Sequence, residues 1–493
     1  MSKRKGKKDT KAKNSVSRSA QRKKKQSRIS GKSVLIAIAV MALAVAGFYG
    51  LPYLTPAPTV VHPDAQSQLD PAVEALLKPM LAAAESTPRD AAAHAELGIA
   101  YEANGLWQEA QKSYSNAVQL DRTTEAWHLH HAIVARQNGD FETALNILSA
   151  QASSYPESAV MQNHYAEALM EAGDLDGAEQ AFRNLIQLAA GSAQGYVGLG
   201  DIMIQKGAGA EAVQLLEQAV KINPRYKQAQ YLLGRAYSMT GREEEAKIAL
   251  AQGVDSQIQY LPDALSSKIA TYTVNATGRI SQASTYLNTG NPEQAAKLLE
   301  ESYPYHNTNV MLLNTLASAY LKTRRLDDAQ RLLNRARELD EDQFFTYLNL
   351  YTWALRSGRK EAALGFADEA IARAPERDDT HLARAQALAE MNRYDEALLS
   401  AKEAMRIDGN KAGNHGLVGE ILYRLQQYKE AETHLTEALS LDQNLLPALT
   451  GLAQTKWALN KREDAQQLLQ RAQQMAPNHP RVQQIAREFN SSR

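Results

Sequence analysis

An all-α solenoid of stacked helical hairpins is predicted by three observations. Ala110, Ala144, Ala178, Ala212 and Ala246 stand 34 residues apart, and Ala295, Ala329, Ala363, Ala397, Ala431 and Ala465 repeat that step. The residue twelve positions before each of these alanines is Gly or Ala in ten of the eleven repeats, from Gly98 to Ala453, so two helices can meet closely there. The residue five positions before is Gly in the first six repeats (Gly105, Gly139, Gly173, Gly207, Gly241, Gly290), which marks a turn with left-handed backbone. A 34-residue period of helical sequence is a repeat array in which each unit buries its apolar face on its neighbours. That removes the size limit a single core would impose on 493 residues.

With the ruler alanine at position 20, each element follows. Positions 8 and 20 are the close-contact sites of the two helices. Position 27 is Ala in seven repeats, including Ala117, Ala219 and Ala336, and lets the next repeat dock. Asn392 and Asn460 serve the turn in later repeats, since Asn tolerates the left-handed region. Pro156, Pro224, Pro375 and Pro477 at position 32 end the second helix. Tyr351 takes the small position 8, so its repeat must pack differently.

The pattern resembles the tetratricopeptide repeat family. Leu97-Gly98, Tyr101, Ala110, Tyr114 and Ala117 carry the resemblance in the first repeat, and Leu199-Gly200, Ala212, Ala219 and Pro224 in the fourth. The expected organisation is a first block of five repeats at 91–254 and a second of six at 276–479. A leading cap helix occupies 70–90, through Leu76, Met80 and Ala83, and a closing cap helix 480–493, through Val482, Ile485 and Phe489. Between Ala246 and Ala295 the step is 49, so residues 255–275 are an insertion. It reads either as a surface insertion or extra helical turn, or as a hinge or a loop that folds into the groove and contacts a partner.

Formal net charge is zero, but it is unevenly spread: residues 1–32 carry fourteen Lys or Arg and one acid, leaving 41 basic and 54 acidic residues in the rest. The tail is too polar to bury a core and is expected to be disordered. Residues 33–51 follow, with an unbroken apolar run from Val34 to Leu51. About eighteen residues at 1.5 Å each approach the ~30 Å hydrocarbon core of a bilayer. Dense positive charge on one flank favours a cytoplasmic N-terminus, with contact to anionic lipid. A single-pass signal anchor is therefore expected, the repeats lying on the far side. A cleaved signal peptide is the rival reading, since Ala42-Leu43-Ala44 and Ala44-Val45-Ala46 fit small-x-small sites. The tail lacks interleaved aromatics, so no nucleic-acid partner is expected. Residues 52–69, with Pro52, Pro56, Pro58 and Pro63, read as an extended spacer. The alanine-rich style and basic anchor suggest a bacterial inner-membrane protein with periplasmic repeats.

Catalytic signatures are missing. There is no cysteine, and no HExxH, Walker or GxSxG pattern. Gly207-Ala208-Gly209 fills a turn with no strand before it. His128, His130 and His131 are read as structural rather than metal-binding, since no Glu-x-x-His or Cys accompanies them. The chain is expected to be neither an enzyme nor a holder of a cofactor or metal. The family resemblance implies that positions 2, 5, 9, 12 and 13 of the first helices line a concave groove. On that basis Tyr231, Arg235, Phe345, Leu348, Thr352, Arg356, Glu420, Tyr423 and Arg424 are candidate partner-binding residues. The Lys–Asn pair with which one class of these repeats clamps a carboxylate is missing; Asn163 and Glu167 hold positions 5 and 9 of the third repeat. The expected function is a scaffold for envelope, secretion or export proteins. A periplasmic holdase, which needs a broad apolar groove, is the alternative.

Overall fold

The computed structural model describes residues 56–64 and 68–491, and the described residues form 25 α-helices and no strand. They divide into two compact units, one built from 56–64 and 76–272, the other from 68–75 and 273–491. The basic tail and the apolar run at 33–51 lie outside the described residues. Among the described residues no helix is long and apolar enough to cross a membrane.

The first unit follows helix α1 (Pro71–Ser86), which gives its first five residues to the second unit. Five hairpins come next: α2 (Ala91–Ala103) with α3 (Trp107–Leu120), α4 (Glu125–Gln137) with α5 (Phe141–Ser154), α6 (Ala159–Glu171) with α7 (Leu175–Leu188), α8 (Gln194–Gln205) with α9 (Gly209–Ile222), and α10 (Lys227–Met239) with α11 (Glu243–Gln252). A short helix, α12 (Ser266–Tyr272), ends the unit. Several starts are capped by side chains that satisfy free amides: Asp140 accepts from Thr143 N–H, Ser158 from Met161, and Asp174 from Gly177. Residues 56–64 form no helix and lie along the first repeat, where the Val61 carbonyl accepts from the Tyr101 hydroxyl at 2.7 Å and the Thr59 carbonyl from Asn116 at 2.9 Å.

The second unit holds six hairpins: α13 (Ala276–Asn288) with α14 (Pro292–His306), α15 (Val310–Lys322) with α16 (Leu326–Leu339), α17 (Phe344–Arg356) with α18 (Lys360–Arg373), α19 (Asp378–Glu390) with α20 (Tyr394–Ile407), α21 (Ala412–Arg424) with α22 (Tyr428–Leu441), and α23 (Leu446–Ala458) with α24 (Arg462–Met475). The closing helix α25 (Pro480–Ser491) buries Val482, Ile485 and Phe489, and the Phe489 ring stacks on Trp457 at 3.9 Å.

The small residue at position 8 faces the side chain at position 24 of the same hairpin. A Cβ on Gly200 would stand 2.6 Å from Leu216, and one on Gly419 2.5 Å from Leu435. Tyr351 inverts the pair. Its register partner is Ala367, and both are buried, so the bulk has moved from α18 to α17. The Tyr351 hydroxyl then donates to Gln386 at 2.9 Å. All eleven turn residues at position 15 have positive φ, including Arg324 (61°) and Gln426 (60°). Those two side chains gave no hint of the conformation, which the hairpin geometry imposes.

Gly198 supplies a test of this packing. A Cβ there would fall 2.2 Å from the buried Phe182 ring. Gly198→Ala is expected to lower stability by about 1–3 kcal/mol, despite the better helix propensity of Ala. The control is Gly365 in α18, which has open space at the Cβ position. Gly365→Ala should be neutral or raise stability by up to ~1 kcal/mol. Urea unfolding followed by circular dichroism separates the two.

Candidate protein-binding groove

The first helices of the hairpins carry polar and charged residues at positions where a core would not tolerate them. In the first unit these are Glu102 on α2, His130 and Arg136 on α4, and Asn163 and His164 on α6. Glu102, His130, Asn163 and His164 are all buried, and the inter-block segment is what meets His130, Asn163 and His164.

α11 is a turn shorter than its counterparts and stops at Gly253. A Cβ there would lie 2.4 Å from the Tyr231 amide nitrogen, so only glycine lets the chain cross α10 so closely. Asp255 (φ 58°) then turns the chain. Residues 256–265 form no helix and run along the first helices of the preceding repeats, in the direction of decreasing repeat number. The Tyr226 hydroxyl brackets Gln259, accepting from its amide at 3.1 Å and donating to its carbonyl at 3.4 Å. Asn163 Oδ1 accepts from the Leu261 amide at 3.3 Å. Tyr260 stacks on His164 (centroids 4.2 Å apart, 7° between planes), and its hydroxyl accepts from Arg136 at 3.0 Å. Pro262 keeps the preceding residue extended. Asp263 accepts from His130 Nε2 at 2.9 Å and also from the amides of Leu265 and Ser266, which starts α12. On α12, Lys268 pairs with Glu96, the Tyr272 hydroxyl donates to Glu96 at 2.8 Å, and Asn104 donates to the Tyr272 carbonyl at 2.8 Å. Residues 256–272 thus lie against the first helices of the first three repeats and include the added short helix α12.

His130 sits between two carboxylates. Its Nδ1 faces Glu102 at 2.9 Å, and Tyr114 donates to the same carboxylate at 2.7 Å. Burial alone would lower the His130 pKa, but the bonds to Asp263 and Glu102 outweigh it and raise it to about 9. Burial would raise Asp263, yet the bonds from His130 and Ser266 hold its carboxyl well below the usual range. The neighbours respond in the opposite sense. Desolvation, reinforced by the charges of Arg136 and His130, pushes His164 down to about 3, and its Nδ1 has no hydrogen-bond partner. Desolvation raises Glu167 to about 7 against the pull of Arg136. His128 and His94 contact the carbonyls of Arg122 (3.1 Å) and Pro88 (3.0 Å) respectively. No cluster of three potential metal ligands occurs among the described residues.

The residues singled out from the sequence are distributed along both units. In the first, Tyr231 is 41% exposed and Arg235 lies 3.9 Å from Asp201. In the second, Phe345 is 38% exposed, packs on Phe344 with centroids at 4.0 Å, and lies under the Arg377 guanidinium. Met311, at the same register position one repeat earlier, is also exposed. Leu348 is partly buried against the core, the Thr352 hydroxyl donates to the Leu348 carbonyl, and Arg356 donates to the Leu321 carbonyl at 2.6 Å. Glu420 accepts from Arg481 at 2.7 Å, Tyr423 packs at a tilt on Tyr428, and Arg424 is exposed. Reading from positions 2, 5, 9, 12 and 13 missed His130 and His164, which share position 6. Glu96 shares that position, so the available signal was the run of titratable residues it carries in the first three repeats, Glu96, His130 and His164.

A tetratricopeptide repeat model matches residues 135–199, 203–262, 286–353 and 422–488, just over half of the chain, and the chain belongs to that family. The model of anaphase-promoting complex, cyclosome, subunit 3 matches residues 357–438. No curated protein matches in sequence. Similar solved structures include yeast Tom70 (15% identity, 82% of this chain and 96% of that one, TM-score 0.38). The APC/C hetero-tetramer Cut9–Hcn1 is another (13%, 84% and 98%, TM-score 0.40), as is PilF of Pseudomonas aeruginosa (17%, 43% and 96%, TM-score 0.37). The tetratricopeptide repeat family implies protein partners.

The pH dependence of the docked segment follows from His130. A folded-state pKa above the unfolded value adds stability that is complete below about 6.5 and is lost as pH rises through about 9. A shift of that size corresponds to about 3 kcal/mol. His130→Gln, which keeps a hydrogen-bonding group but cannot titrate, is expected to remove that loss. His130→Ala, which leaves two carboxylates without their shared cation, should cost about 3–5 kcal/mol. Thermal melts between pH 6 and 9 check both.

Proposed function

We propose that this chain is a non-catalytic protein-interaction scaffold of the bacterial inner membrane. In this reading residues 33–51 anchor it, the basic tail lies on anionic lipid at the cytoplasmic face, and the repeats stand in the periplasm. There the concave faces dock or order envelope proteins or parts of a secretion or export complex. The observation that carries the protein-binding part is the first unit's groove. It holds an extended polypeptide by main-chain bonds at Gln259 and Leu261 and by side-chain bonds at Tyr260 and Asp263. A preformed receptor of that kind binds with little ordering cost on its own side.

The character of the groove favours a defined partner over promiscuous holding. A holdase needs broad apolar surface, whereas the groove of the first unit is lined by Glu96, Glu102, His130, Arg136, Asn163 and His164. Polar pockets discriminate strongly because a wrong ligand leaves them unpaired. The exposed pair Met311 and Phe345 offers the second unit a smaller apolar contact of the hot-spot type.

Two experiments test the reading. The chain has no cysteine, so Gln473→Cys introduces a single exposed thiol. An impermeant thiol reagent should label it in intact spheroplasts; labelling only after lysis would place the repeats in the cytosol. Crosslinking in native membranes should recover a short list of partners, depleted several-fold by Phe345→Ala with Arg356→Ala. The same crosslinks from that double variant, folded as judged by its melt, would remove the second unit's groove from the proposal.

A further inference from the structure

The segment and the groove it occupies are built differently. Glu102, Tyr114, His130, Asn163 and His164, with Tyr226 at the start of α10, are each at most 8% exposed, and their helices also contribute to the cores of the repeats. On the other side, no residue from Asp255 to Asn275 is buried, and α12 adds nothing to the core. The segment is attached at a surface by hydrogen bonds, ion pairs and the Tyr260–His164 stack, with Leu261 partly buried against the core. Each such bond contributes a net ~0.5–1.5 kcal/mol, because water replaces it on release. An element with few buried apolar contacts opens at lower free energy than the helices beneath it. When it leaves, water replaces the bonds that Asp263 and Leu261 made to His130 and Asn163, which lowers the cost of the vacated groove.

The contacts also spell out what the groove reads. Tyr226 and Asn163 bond main-chain atoms at alternate residues, which requires an extended strand but no particular side chain. The slot between His164 and Arg136 takes an aromatic ring bearing a hydroxyl. Three residues later, His130 takes a carboxylate.

We propose that the groove of the first unit is a receptor for an extended peptide with a tyrosine followed three residues later by an aspartate, and that residues 258–272 are a built-in occupant which such a partner displaces. This rests on the protein-binding reading above and names its ligand and its control. A tethered competitor acts at an effective concentration in the millimolar range, so the groove is closed to weak ligands and yields only to a partner that matches it better.

The test uses the full chain and a fluorescent synthetic peptide with the sequence of residues 256–267. Tyr260→Ala with Asp263→Ala in the protein releases the occupant. The variant is expected to bind the peptide at least tenfold tighter than the wild-type chain does. Adding Arg136→Ala to it, or the same two alanines to the peptide, should abolish binding. A variant that keeps its helical content yet binds the peptide no better than wild type overturns the proposal. Hydrogen exchange on the wild-type chain avoids dependence on the variant's folding: excess peptide should accelerate exchange at the Gln259 and Leu261 amides, and unchanged protection at saturating peptide also overturns it. Failure here together with crosslinks that depend on Phe345 and Arg356 sinks the occupant and leaves the scaffold. Peptide binding without such crosslinks keeps the first unit's receptor and removes only the second unit's groove.

Discussion

Close approach of two helices at one small residue per hairpin is the constraint on which this molecule depends. Gly98, Gly200, Gly234 and Gly419 have no room for a methyl group without meeting Tyr114, Leu216, Leu250 or Leu435. Each contact sets the spacing within a hairpin, and the turn residue with positive φ sets its direction. Repeated eleven times, these two local decisions place all first helices on one side of each array. The exception at Tyr351 obeys the same volume rule, with the large side chain moved across the interface and Ala367 opposite. Conserving volume while exchanging sides preserves packing density.

Within each unit successive first helices pack on one another, and the strip they expose need not be apolar. Polar residues there escape the usual cost of burial only if something pairs with them. In the first unit that pairing comes from the chain itself. Glu102, His130 and Asp263 form a hydrogen-bonded row, in which His130 and Asp263 each shift the other's ionisation toward charge. The neighbouring pair, His164 and Glu167, is held toward neutrality by desolvation. Opposite pulls within a few residues give the groove a preference for one charge pattern, which is how electrostatic complementarity produces specificity.

The helical-hairpin solenoid was legible because its period is carried by residue size and turn chemistry, both local properties. The 49-residue step likewise announced that residues 255–275 leave the register. What that segment does was not legible. A surface insertion and a groove occupant differ only in contacts such as Tyr260 on His164 and Asp263 on His130, which join residues about 100 to 130 positions apart. Charge, aromaticity and proline along the segment fit either reading. Nothing local distinguishes His130 from His128 and His131, yet His130 is the one that pairs with Glu102 and Asp263.

The sequence by itself determined the repeat length, the sites of helix contact, the turns and the break between the two blocks, since each follows from side-chain volume or backbone preference within one hairpin. The tertiary structure decided which polar residues share the groove, that the inter-block segment fills it, and how His130, His164 and Glu167 are tuned. Those outcomes depend on distance and desolvation across several repeats, which one-dimensional order does not encode.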